Sequence, residues 1–177
     1  MKKGVLVMGV IAFMQNLFAI DPQKYEGLKP VMKIEEFFNG KIKAWGIVQD
    51  RSGNILSKFD VDMVGTWNGN KGKLEEEFHY YDTNKKQHRT WEINKLDEQN
   101  YTGSAGDIEG TATGSAHGNA INWHYEMYLP VKDQQIKFKL DDWMWAMNND
   151  TVINRSYIKK FGIKFAEITI FMKKDHA

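Results

Sequence analysis

The chain contains no cysteine, which excludes disulfides, thiolate nucleophiles and cysteine-ligated zinc or iron–sulfur centres. Net charge is almost absent as well. With 24 Lys+Arg against 23 Asp+Glu the formal charge is +1, so there is neither a basic footprint for nucleic acid nor an acidic solvating tail. Long apolar runs are missing except at the start, where Lys2 and Lys3 precede an apolar stretch from Val5 to Phe13 and Leu17-Phe18-Ala19 offers a cleavage site before Ile20-Asp21-Pro22. That order reads as a secretory signal peptide over residues 1–19. Gln15 and Asn16 interrupt the apolar part, which falls short of the roughly 20 residues needed to cross a bilayer. The mature chain is therefore expected to begin near Ile20, to have 177 − 19 = 158 residues, and to reside in the periplasm.

What is present is aromatic and alternating. Phe, Trp and Tyr make up 13% of the chain, a composition that favours strands and fills either β cores or ligand cavities. Residues 20–32 hold prolines, a glycine and charges and are expected to form an extended linker standing off from the domain that follows, 33–177. Val31 to Phe38 suits one short helical turn ending at Asn39-Gly40. Beyond Gly40 the period is two: Ile42, Ala44, Gly46 and Val48 alternate with Lys43 and Trp45, and Phe59, Val61, Met63, Gly65 and Trp67 share a face, as do Leu74, Glu76, Phe78 and Tyr80. Short turns join these runs, leaving no room for the crossovers that parallel pairing needs. The expected fold is all-β, an antiparallel up-and-down barrel of the lipocalin or calycin type with about eight to ten strands and one short N-terminal helical turn.

Gly110, Gly114 and Gly118 fall four apart before the strand-like Asn119 to Leu129. A helix would lose about 1 kcal/mol at each glycine relative to alanine, so curved or bulged strand is expected instead. A phosphate loop is discarded, since neither the Walker lysine nor a following helix is present.

Several motifs occur together and in order: F-F-N-G-K-I-K-A-W-G (Phe37 to Gly46), Q-D-R-S-G (Gln49 to Gly53), V-G-T-W-N-G (Val64 to Gly69), G-T-A-T-G-S-A-H-G-N-A-I-N-W (Gly110 to Trp123), D-D-W-M (Asp141 to Met144), I-N-R (Ile153 to Arg155) and K-F-G (Lys160 to Gly162). Over about residues 35 to 174 they resemble domain-of-unknown-function family 3833, bacterial envelope proteins that look like lipocalin-type barrels and are often lipoproteins. The resemblance implies a lipid theme and supplies no catalytic residues. The chain departs from the lipoprotein pattern because it has no cysteine to acylate.

The histidines His79, His88, His117, His124 and His176 form no H-x-H or H-E-x-x-H, and no metal or other cofactor is expected. Asn122, His124 and Glu126 share one face of a strand whose other face carries Trp123, Tyr125, Met127 and Leu129, so the polar face is either solvent or pocket. Asp141 and Asp142 are adjacent and point to opposite faces, which rules out a paired-carboxylate site. Asp142 lies with Ile136, Phe138, Leu140 and Met144 and so needs an inward partner. If Asn148-Asn149 is the centre of a hairpin, Met147 pairs with Asp150 and Asp142 falls opposite Arg155. No serine has a nucleophile elbow.

The leading expectation is a periplasmic barrel binding a small hydrophobic molecule, a fatty acid or other lipid. Its candidate ligand-binding residues are Trp45, Trp67, Asn122, Trp123, His124, Asp142, Trp143 and Arg155, with Trp145 as further lining. No nucleic acid is expected as partner, and a membrane surface is allowed as a peripheral contact. The alternatives are a lipid-acting enzyme using Asp142 or His124, and a filled structural barrel of the envelope.

Overall fold

The structure, a computed structural model, describes residues 20–131 and 133–176. The expected signal peptide at 1–19 lies outside the described residues. From Gly40 the alternating pattern produces ten strands: β1 (Gly40–Asp50), β2 (Ile55–Asn68), β3 (Lys71–Tyr80), β4 (Lys85–Lys95), β5 (Asn100–Ala105), β6 (Ile108–His117), β7 (Ala120–Val131), β8 (Gln134–Asn148), β9 (Thr151–Lys160) and β10 (Ile163–Asp175). Each pairs antiparallel with its neighbours in sequence, and β1 closes on β10. The barrel is thus up-and-down and closed, as the short turns required, and closure leaves no edge strand to template aggregation.

One end of the barrel is plugged. The chain reaches β1 through a four-residue helix, α1 (Ile34–Phe37), too short to persist alone. Met32, Ile34, Phe37 and Phe38 bury their side chains against the barrel core. Trp67 Nε1 donates to the Phe38 carbonyl at 3.1 Å. Glu35 accepts from Lys95 Nζ and from the Tyr101 hydroxyl, each at 2.8 Å. At the other end of α1, Lys174 Nζ donates to the carbonyls of Glu36, Phe37 and Asn39, supplying the cation that a helix C-terminus attracts.

Residues 20–32 do not stand off as a linker. A 3-10 turn, Pro22–Tyr25, lies against the outer wall of the barrel, where the Tyr25 ring is 5.7 Å from Trp143 and 6.3 Å from Trp145. Two tryptophans facing outward from one strand leave an apolar surface, and covering it outweighs the mobility that the prolines and charges suggested. Gly118 makes the approach feasible: its φ is +53°, and a Cβ there would lie 1.8 Å from the Tyr25 carbonyl oxygen. The amide of Met32 donates to the Gly118 carbonyl at 2.7 Å.

The three spaced glycines are not helical. Gly110, with φ +71°, sits where the β6–β7 register shifts between Glu109 and Thr113, a bulge of the expected kind. Gly114 is regular strand beneath the Trp123 ring. Gly118 belongs to the two-residue turn between β6 and β7 rather than to a strand.

The β8–β9 hairpin corrects one expectation. Its turn is Asn149-Asp150, with Asn148 opposite Thr151, but Ala146 is opposite Val152, so Met147 is an extra residue. That single bulge reverses the face of everything beyond it. Asp142 therefore pairs with Ser156, and Arg155 pairs with Trp143. Arg155 points away from the barrel interior, where its Nε donates to Thr169 Oγ1 at 3.3 Å.

Candidate functional site

The interior is not filled. Inward side chains of the strands enclose a cavity of about 920 Å³, within the range of pockets that hold drug-sized ligands. Ile34 and Phe38 form its floor, and Leu56, Val131, Gln135 and Phe165 border it at the opposite end, among the turns that follow odd-numbered strands. The walls are mainly apolar, with Met63, Leu74, Trp91, Trp123, Phe138 and Ile168 among them.

A small set of ionisable groups interrupts this lining. Glu76 on β3 and Arg89 on β4 are direct cross-strand partners, with Arg89 Nη1 3.9 Å from Glu76 Oε2. Because β5 has only six residues, the outer half of β4 has no partner in β5, and the β5–β6 turn folds Asp107 over that gap. There Arg89 Nε and Nη2 approach Asp107 Oδ2 at 2.9 and 2.6 Å. The guanidinium also stands 5.2 Å over the Phe78 ring. A guanidinium keeps its charge at any ordinary pH, so these carboxylates and the ring face are its compensation for leaving water.

Asp142 completes the cluster from β8. It accepts from Ser156 Oγ at 2.7 Å, from the Tyr125 hydroxyl at 3.2 Å and from Asn154 Nδ2. Burial raises its pKa, and these three donors act in the opposite direction. Burial likewise pushes Glu76 up to about 7; the charge of Arg89 opposes the rise, and those of Asp107 and Asp142 add to it. The Tyr125 hydroxyl is held well above its ordinary value, first by burial and then by the neighbouring Asp142 charge. Near neutral pH the barrel therefore holds one carboxyl group, Glu76, poised between its two protonation states inside an apolar chamber.

Of the residues singled out from the sequence, Trp123 and Asp142 line the cavity. The other candidates do not. Trp45 is 43% exposed on the outer surface beside Phe171. Trp67 faces inward but is taken up by the plugged end, as its bond to Phe38 shows. Trp143 faces outward under Tyr25, stacked on Trp145 with ring centroids 6.0 Å apart. Asn122 is outward too, donating to Asp141 Oδ1 at 2.9 Å. His124 is exposed on the outer wall, 3.9 Å from the same carboxylate oxygen, so it has no access to the cavity and an enzyme reading that uses it fails. Arg155 is outward for the reason of the bulge. Among the described residues no three His, Asp or Glu side chains converge as a metal site.

Glu76, Arg89, Asp107 and Tyr125 are functional candidates that sequence reasoning passed over. Glu76 carries a legible signal, since it shares an inward face with Leu74, Phe78 and Tyr80. Arg89 alternates in phase with Trp91 and Ile93 on β4. Asp107 has no periodic signal, because it reaches the cavity from a turn.

With the geometry established, the chain can be placed among known proteins. The model of the family described as "Protein of unknown function (DUF3833)" matches residues 11–174. The chain belongs to the DUF3833 family. Among curated proteins none matches the sequence. Among solved structures, this DUF3833 barrel is similar to the S-type phycobiliprotein lyase CPES from Guillardia theta, with a TM-score of 0.58 and 14% identity over 82% of this chain and 94% of that one. At that identity the likeness is one of fold, a calycin-like barrel.

Proposed function

We propose that this DUF3833 protein is a periplasmic binding protein for a small, elongated hydrophobic molecule of the lipid class, held inside the barrel. The observation that carries the reading is the unfilled interior. A cavity of about 920 Å³ with largely apolar walls is costly to keep empty, because its lining forgoes contacts that close packing would provide. A filled structural barrel would have used larger side chains at these positions. The N-terminal Lys2-Lys3, the apolar run and Leu17-Phe18-Ala19 support export to the periplasm.

The rim supports peripheral membrane association as the route of entry. Leu56 and Phe165, at the mouth, are exposed, as is Ile163 nearby. Phe161 is 89% exposed at the tip of the β9–β10 turn, with φ +52°. A bulky residue held left-handed in water is strained twice over, in backbone and in solvation, and such strain gathers at functional positions. Lys160 Nζ lies 5.3 Å from that ring, pairing an apolar tip with a cation, the combination that suits an anionic lipid surface.

The test is extraction of protein purified from the periplasm, followed by mass spectrometry of the organic phase and native mass spectrometry of the intact chain. One lipid-class molecule per chain is the expected result. Protein recovered without ligand that also fails to bind hydrophobic fluorescent probes would refute the proposal.

A further inference from the structure

We propose that the ligand carries a hydrogen-bond-donating, cationic head of the alkylammonium kind, which docks on Glu76 and Asp107 while its apolar part occupies the rest of the barrel. The inference rests on the reading of the barrel as a binding site and specifies which amphiphile it takes.

Among the described residues the lining holds three carboxyl side chains, Glu76, Asp107 and Asp142, against one guanidinium, Arg89, and neither lysine nor histidine. Arg89 is already occupied by Asp107 at 2.6 Å. An acyl carboxylate entering this chamber would have to displace Asp107 and would meet the remaining carboxyl groups as like charges in a medium that screens them poorly. A fatty acid is therefore a poor match to the polar end of the cavity.

Two acceptor atoms indicate the opposite chemistry. Glu76 Oε2 and Asp107 Oδ1 are buried and accept no hydrogen bond from any described residue. The Glu76 side chain is 9% exposed, and it borders the cavity. Both carboxyl groups flank the same guanidinium, Glu76 with Oε2 3.9 Å from Nη1 and Asp107 with Oδ2 2.6 Å from Nη2. Buried acceptors without donors are costly, and a ligand bringing N–H groups relieves that cost while one bringing further acceptors adds to it. Asp142 differs, because three donors already hold its oxygens. Phe78, Tyr80 and Trp91 present rings on the same two strands, which are further partners for a cation.

The experiment compares dodecylamine, dodecanol and dodecanoate, each below its micellar concentration, as competitors of N-phenyl-1-naphthylamine fluorescence in the full mature chain at neutral pH. Dodecylamine should displace the dye at a concentration at least about tenfold below that of dodecanoate, with the alcohol between them. In Glu76→Gln and Asp107→Asn the advantage of amine over alcohol should collapse, and near-ultraviolet circular dichroism verifies that each variant is folded. Dodecanoate binding as tightly as the amine, or an amine advantage that survives both substitutions, overturns the assignment while leaving the barrel as a hydrophobic site. If neither the dye nor any of the three chains binds, the barrel reading falls and this inference with it.

Discussion

Replacing Glu76 with glutamine should remove a large part of the pH dependence of this protein's stability. In the folded chain the carboxyl group is pushed from 4.5 up to about 7, chiefly by burial. Since the folded value lies above the unfolded one, the native state binds this proton more tightly. The stabilisation it brings is complete below the unfolded pKa and is lost as pH rises through the folded one. A shift of about 2.5 units at about 1.36 kcal/mol each corresponds to about 3 kcal/mol lost between roughly pH 4 and pH 8.5. The side chain is 9% exposed, so solvent screening reduces this little. Glutamine keeps the shape and cannot ionise. Urea unfolding followed by tryptophan fluorescence, with m-values checked for constancy, should show the variant gaining on the wild type by about 3 kcal/mol across that range. Other titrating groups largely cancel in the difference. A difference between variant and wild type that stays flat with pH would refute the reasoning.

Three further outcomes are expected. Ser156→Ala should cost about 2 kcal/mol, because it removes a hydrogen bond to a buried carboxylate, whereas Arg155→Ala should cost under about 1 kcal/mol and add to Asp142→Asn without coupling; a double-mutant cycle in urea checks both. Gly118→Ala should undock the N-terminal segment, since its Cβ would overlap the Tyr25 carbonyl oxygen at 1.8 Å; faster proteolysis between residues 20 and 32 is the readout, and unchanged cleavage would contradict the assigned contact. Phe161→Asp should weaken sedimentation with anionic vesicles while leaving dye binding intact, and equal sedimentation would remove the rim from the entry route.

Period-two alternation made most of the fold legible. Along β2 and β3 every inward residue from Phe59 to Tyr80 was in phase, because a strand has only two faces and one of them must be buried. Short turns then restricted pairing to neighbours, and closure of β1 on β10 followed from that meander. What the alternation cannot carry is an inserted residue. The bulge at Met147 is invisible in composition, yet it moves Arg155 to the outer face and leaves Asp142 with Asn154 and Ser156 as partners. The tryptophans show the same division. Their number signalled a large apolar surface, but only folding decided that Trp123 faces the cavity, that Trp67 is taken up by the plug, and that Trp143 lies outside beneath Tyr25. The polar site belongs almost wholly to the tertiary structure, because Glu76 and Arg89 meet through β3–β4 register, and Asp107 reaches Arg89 only because β5 stops short and its turn bends inward. Local sequence sets which face a residue takes on its own strand; long-range pairing and the lengths of other strands set whom it meets there.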